Sequence, residues 1–209
     1  MAKAIHIFGG GTIQHVRNHL ALCAPASGTT ARKLAADLAN SPLGMDVQLH
    51  LTKMADPESR IETNEDVSRV LYGLLSDPDT RAIIFSVALC DFSGQIGDVE
   101  SGKYAERLQT RDAGSLQMNL APTPKILASI KIARPDVFVV GFKTTASATE
   151  IGQLTAAARQ IRETGVDLVF ANDTVTRRNM LVDAKGVRLR GTREEVLNML
   201  VLALQARFV

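Results

Sequence analysis

Short apolar runs alternate with segments of helical spacing along nearly the whole chain, and no other feature restricts the possible fold so strongly. The runs are Ala4–Phe8, Met45–Leu51, Ala82–Val87, Val137–Phe142 and Asp167–Ala171, most of them rich in Val, Ile or Phe with turn residues nearby. Between them, Thr29–Ala39, Glu65–Leu75, Thr123–Ala133 and Thr149–Thr164 repeat apolar residues three and four apart, as at Val67, Val70, Leu71 and Leu74. Strand, helix and strand in succession require a crossover, and crossovers make a parallel sheet. Ile83-Ile84-Phe85-Ser86-Val87 barely alternates, which predicts a central strand covered on both faces.

Two segments depart from this rhythm. Ser93–Asn119 carries Gly94, Gly97, Gly102 and Gly114 with mixed charge and little apolar periodicity, and so predicts a mobile flap. Met180–Gly191 alternates on both sides of Asp183–Gly186 and predicts a hairpin, after which Thr192-Arg193-Glu194-Glu195 caps a last helix running to Phe208. The expected architecture is a single α/β domain over residues 1–209. It has a Rossmann-like, mostly parallel sheet flanked by helices, with a flap and a C-terminal hairpin.

Composition narrows the function classes. With 45% apolar residues the chain is not disordered, and 24 basic against 22 acidic side chains, a net charge of +2, give no polyelectrolyte character. No nucleic-acid partner and no membrane partner are expected. The basic run Arg177, Arg178, Lys185, Arg188, Arg190 and Arg193 has almost no aromatics for base stacking and reads as a solvated hairpin. Cys23 and Cys90 stand far apart without metal-ligand spacing, and no stretch approaches eighteen apolar residues, so a soluble, cytoplasmic protein is expected. His15 and His19 have metal-like spacing only if helical, and no third ligand follows, so no protein-held metal is expected.

The candidate chemistry lies in loops that follow the strands. Gly9-Gly10-Gly11-Thr12 lets backbone approach a ligand closely, although a tight turn explains it equally well. Ser27-Gly28 opens a helix, where free N–H groups attract anions and where a hydroxyl is also an ordinary cap. Ala88-Leu89-Cys90-Asp91, Phe142-Lys143-Thr144 and Asn172-Asp173 follow later strands, so all are expected on one rim.

In order and spacing, these pieces resemble the phosphopantothenate–cysteine ligase family, also described as the DNA/pantothenate metabolism flavoprotein C-terminal-like domain. The resemblance rests on Gly10-Gly11-Thr12, Val16-Arg17, Ser27-Gly28, the Asp91-Phe92 pair, Ala121-Pro122-Thr123-Pro124-Lys125-Ile126-Leu127 and Phe170-Ala171-Asn172-Asp173, and it spans nearly the whole chain. It implies that 4′-phosphopantothenate and cysteine are joined through an acyl-nucleotidate made from CTP (or ATP) with Mg²⁺. It also implies a homodimer with the flap near the partner. Gly10, Gly11, Thr12, Ser27 and Gly28 would hold phosphates. Asp91, with Ala88, would contact the nucleotide, and Thr123, Pro124, Lys125, Ile126 and Phe142 would frame the base. Asn172 and Asp173 would complete the nucleotide site, and Arg159 would take the place of a family lysine. Lys103 is the implied flap cation that reaches the triphosphate, with Arg107 and Arg111 as alternatives.

The sequence departs from the family pattern between Val16 and Gly28. Ala24 stands where the family carries an Asn that stabilises the activated acyl intermediate, and Asn18, in the lengthened loop, is the implied substitute. The expectation is a ligase of reduced or redirected efficiency, with a non-catalytic nucleotide-binding homologue as the alternative.

Overall fold

The computed structural model describes residues 3–111 and 114–208. In chain order the elements are β1 (Ala4–Gly9), β2 (Ile13–Arg17), β3 (Leu20–Cys23), α1 (Thr29–Ala39), β4 (Asp46–Leu51), α2 (Asn64–Leu75), β5 (Thr80–Phe85) and β6 (Phe92–Gln95). They continue with β7 (Asn119–Pro122), α3 (Ile126–Ala133), β8 (Phe138–Thr145), α4 (Glu150–Thr164), β9 (Leu168–Asp173), β10 (Asn179–Asp183), β11 (Gly186–Gly191) and α5 (Arg193–Phe208). Seven strands form one sheet in the order β11-β10-β9-β8-β5-β1-β4. The five from β9 to β4 are parallel, and β10 and β11 extend one edge antiparallel.

Side-chain alternation divides the core between the two faces of this sheet. On one face Val67 and Leu71 of α2, Ile130 of α3 and Ala157 of α4 meet Phe8, Ile83, Val139 and Val169. On the other, Leu34 and Leu38 of α1 and Val196, Leu200 and Leu204 of α5 meet Ile5, Ile7, Ile84, Val140 and Phe170. Strand order reverses between β1 and β5, because the chain runs from β1 out to β4 and then crosses back. The helices after β1 and β4 therefore lie on opposite faces, and a crevice opens at the carboxyl ends of β1 and β5.

Local chemistry sets the ends of the elements. Thr63 caps α2 by accepting from the Asp66 N–H, and the Asp66 carboxylate accepts from the Thr63 N–H, which together form a capping box. α4 ends at Gly165, whose φ of 71° suits a residue without Cβ. α3 starts at Ile126 and not at the expected Thr123, because Pro124 disfavours helical backbone at the preceding residue and the Thr123 hydroxyl is donated to the Cys90 carbonyl, 2.7 Å away. The hairpin turns at Asp183–Gly186, where Asp183 Oδ1 accepts from the N–H groups of Lys185 and Gly186.

Periodicity did not reveal two short ribbons. β2 pairs with β3, β6 pairs with β7, and β2 packs on β6. The β2–β3 strands are only partly buried and mix Gln14, His15 and Arg17 with apolar residues, so neither a helical nor a two-residue pattern shows. His15 and His19 consequently lie on a ribbon and its turn, not one helical turn apart. The segment Ser93–Asn119 begins in β6 and ends in β7, and it is fastened by Arg17 donating to the Ile96 carbonyl and by the Asn18 N–H donating to the Ala105 carbonyl. Asp112 and Ala113, inside that segment, lie outside the described residues. Among the described residues no helix is long and apolar enough to cross a membrane.

Candidate active site

The crevice holds a cavity of about 440 Å³. Its floor is formed by Gly10, Ser86, Ala88, Phe142, Thr144 and Asn172, in the carboxyl halves of β8 and β9 or just beyond the ends of β1 and β5. Ala24 through Ala31 form a side wall, and Arg193 arrives from the start of α5. Gly10 (φ 93°) and Gly28 (φ 72°) both adopt left-handed backbone, and a Cβ on either would press on the Thr52–Ala55 loop. Gly28 is the N-cap of α1 and no side chain caps that end, so amides of the first turn reach the cavity wall without a side-chain acceptor. Phe142 stacks on the buried Phe170 at 5.1 Å between ring centres, which fixes the plane of the ring that faces the cavity. Asn172 Oδ1 accepts from the Thr144 hydroxyl at 3.1 Å, which orients the amide so that its Nδ2 remains a donor.

The structure thus brings Gly10, Ser27, Gly28, Ala88, Phe142 and Asn172 together. Gly11 bridges Ala88 behind them, and a Cβ there would strike the Ala24 carbonyl. Thr12 is fully buried behind the wall: its hydroxyl donates to Asn64 Oδ1 at 2.6 Å and accepts from the Cys90 N–H at 2.9 Å. Asp173 is also buried. Its carboxylate accepts from the N–H groups of Thr176, Ala148, Val175 and Ser147 and from the Thr145 hydroxyl, and these bonds, Thr176 first, hold it far below the usual carboxylate range. It organises the loops after β8 and β9. Asp91 and Lys125 are exposed and form an ion pair at 2.6 Å, and the Thr123 N–H donates to the Asp91 carbonyl. Pro124 lies exposed in the same strap, and Ile126 turns into the core below α3.

Three more expected residues lie farther from the rim cavity. Asn18 sits in the turn between β2 and β3, at the opposite end of that ribbon from Ala24, with its Oδ1 beside His19. Arg159 lies on the outside of α4, near Glu163. Lys103 is paired with Glu62 in a second hollow of about 450 Å³ shared with Gln14, His15 and Asp66. The Lys103 hydrogen bond pulls the Glu62 carboxyl below its ordinary range, helped by Lys53 and His15. Among the described residues no three His, Cys, Asp or Glu side chains cluster as a metal site.

The profile of the DNA/pantothenate metabolism flavoprotein C-terminal domain family matches residues 2–201. The chain belongs to that family. The Coenzyme A biosynthesis bifunctional protein CoaBC of Thermococcus kodakarensis is 30% identical over 134 residues, which cover 62% of this chain and 31% of that protein. The matched region is therefore about a third of that relative's length. The DNA/pantothenate metabolism flavoprotein from Streptococcus pneumoniae superposes with a TM-score of 0.82 at 22% identity, covering 99% of this chain and 100% of that one. A Cab2 variant in complex with phosphopantothenate-cysteine superposes with a TM-score of 0.68 at 16% identity, covering 99% and 87%. At these identities the solved structures establish a shared fold.

Thr144, expected on the rim, orients Asn172, whereas Arg193, which supplies a charge from a distant helix, was not foreseen there. The sequence signals Thr192-x-x-Glu195 as a helix start, and the structure realises it as a capping box, but nothing local shows that this start docks on α1. Arg188 and Arg190, from the same basic run, pair with Asp183 and Glu150.

Proposed function

We propose that this DNA/pantothenate metabolism flavoprotein C-terminal domain is a phosphopantothenate–cysteine ligase that binds CTP in the rim cavity, with ATP as the competing nucleotide. The observation that carries the reading is the wall itself: two left-handed glycines, an open helix start, a fixed aromatic ring, an oriented amide and, among the described residues, no carboxylate. Such a wall suits an anionic ligand with a planar base. In the first step the substrate carboxylate attacks the α-phosphorus and the bond to pyrophosphate breaks. In the second, the cysteine amine attacks the acyl carbon, the nucleoside monophosphate leaves, and the amine gives up a proton.

Each residue has a role in that sequence. Backbone amides at Gly10 and around Gly28 take phosphate charge, and Phe142 supports the base. Mg²⁺ enters with the nucleotide, because the lining offers hydroxyls and an amide but, among the described residues, no carboxylate ligand. The neutral donor for the acyl oxygen is Asn172 Nδ2, since Ala24 lines the wall without a donor and Asn18 lies at the far ribbon end. Removing such a donor costs about 10² in turnover or more.

The test is pyrophosphate release from CTP and 4′-phosphopantothenate, followed by amide formation on adding cysteine. Asn172→Ala is expected to slow turnover about a hundredfold, with Asn18→Ala unchanged. Ala24 favours a second reading, a nucleotide binder without ligase activity. CTP binding with no pyrophosphate release, unrelieved by Ala24→Asn, selects that reading. The homodimer implied by the resemblance belongs to the proposal too, supported by Phe92, Leu116 and Leu120, which are 47, 55 and 53% exposed along the β6–β7 ribbon and its flap.

A further inference from the structure

Among the described residues that line the rim cavity, Arg193 is the one charged side chain. It is the first residue of α5, and the Thr192–Glu195 capping box fixes its backbone: the Glu195 N–H donates to the Thr192 hydroxyl and the Thr192 N–H to the Glu195 carboxylate. Its guanidinium lies over the Phe170 ring, 5.2 Å from the centroid, and Nη2 donates to the Thr30 hydroxyl at 2.6 Å. A guanidinium has five N–H donors, and no other protein acceptor and no carboxylate partner holds this one among the described residues. Neither Glu194 nor Glu195 pairs with it, and Glu195 is occupied by the cap.

Arg193 is exposed at the cavity rim, so the donors that Thr30 does not use are open to a ligand. Arg193 stands at the positive end of its own helix and against Thr30, at the positive end of α1, so two helix starts and a fixed charge converge on one side of one cavity. Desolvation there also lowers the guanidinium pKa. An anion in the cavity complements both helix starts and the guanidinium at once. Of the other cations that the family resemblance offers, Lys103 pairs with Glu62, Lys125 with Asp91 and Arg159 with Glu163, while Arg107 and Arg111 do not line the cavity.

We propose that Arg193, delivered from the C-terminal helix and aimed by Thr30 and Phe170, is the phosphate-binding cation of this cavity. The inference rests on the nucleotide reading above and adds the residue that takes the charge. Its phosphate partner needs at least two adjacent oxygens to use the open fork, which a polyphosphate provides.

The experiment is calorimetric titration of the wild type, Arg193→Met and Arg193→Lys with MgCTP, cytidine and inorganic tripolyphosphate. Met keeps an apolar stem on Phe170 without the charge, and thermal unfolding checks that the variants fold. Arg193→Met is expected to weaken MgCTP and tripolyphosphate roughly 10- to 100-fold while leaving cytidine binding unchanged, and Arg193→Lys to recover part of the loss. MgCTP and tripolyphosphate affinities within twofold of wild type in a folded Arg193→Met protein overturn the assignment and leave the ligase reading standing. If the wild type binds no nucleotide at millimolar concentration, the nucleotide reading falls. Tripolyphosphate then decides the assignment by itself: binding lost in Arg193→Met sustains it, and no binding overturns it.

Discussion

Replacing Thr12 with Val tests whether the Gly-Gly-Thr loop meets the ligand through its threonine or only through its glycines. The hydroxyl lies in a buried triangle with Asn64 and Cys90: it donates to Asn64 Oδ1 at 2.6 Å and accepts from the Cys90 N–H at 2.9 Å, while Asn64 Nδ2 donates to the Cys90 carbonyl at 2.8 Å. These bonds tie the β1 loop, the first residue of α2 and the loop after β5 to one another. Thr→Val keeps the shape but removes the hydroxyl. Two buried bonds at about 1 kcal/mol each are lost, and the Cys90 N–H keeps a longer bond to Asn64 Oδ1 at 3.2 Å, so neither partner is left wholly unpaired. The expected cost is about 2 kcal/mol, roughly a thirtyfold shift in the folding equilibrium and a melting-temperature drop of roughly 4–8 °C. Urea unfolding of Thr12→Val and Thr12→Ser, with MgCTP titration of each, reads both consequences. Serine is expected to retain most of the stability, and both variants to bind nucleotide within a few-fold of wild type under native conditions. A Thr12→Val protein as stable as wild type but more than tenfold weaker for nucleotide would refute the argument, because the hydroxyl would then face the ligand.

Other perturbations address the sheet edge, the flap and the exposed ribbon. The Thr80 hydroxyl donates to the Leu74 carbonyl, so His6 Nε2–H donates to Thr80 and His6 Nδ1 accepts from His50 Nε2–H, a chain that requires the His6 ring neutral. Burial, and secondarily His6, lowers the His50 pKa from 6.5 to about 4, so stability is full above pH 6.5 and declines as the unfolded chain protonates first between pH 6.5 and 4. The decline attributable to His50 reaches up to roughly 3 kcal/mol, and urea midpoints at pH 7.5 and 5 should converge in His50→Gln. Glu62→Gln releases Lys103, Lys53 and His15 and is expected to speed proteolysis within residues 101–107 while changing global stability by less than about 1 kcal/mol; an unchanged cleavage rate would show that the ion pairs do not fasten the flap. Leu120→Asp is expected to convert a dimer to a monomer in sedimentation velocity, and a wild type that already sediments as a monomer removes the dimer from the proposal.

Much of this protein is determined locally, and that part was legible in the chain. α1 spans Thr29–Ala39 as its spacing implied, and Ile83-Ile84-Phe85 lies in β5 between β1 and β8, because a strand without alternation needs cover on both faces. Gly10 marked close backbone approach and Gly28 an open helix start, and the structure gives both left-handed backbone in one cavity. What local sequence does not carry is the destination of a side chain whose partners are far along the chain. The family resemblance implied Thr12 and Asp173 as site residues, but Asn64 and Cys90 enclose the first, and amides from two loops enclose the second. The β2–β3 ribbon moved Asn18 away from Ala24 because its register depends on pairing and on contact with β6, not on a pattern of its own. Arg193 reached the rim for the same reason in reverse. Residues 163 positions apart, Arg193 and Thr30, meet because α1 and α5 share the apolar face of one sheet, and that contact exists only once the sheet has closed.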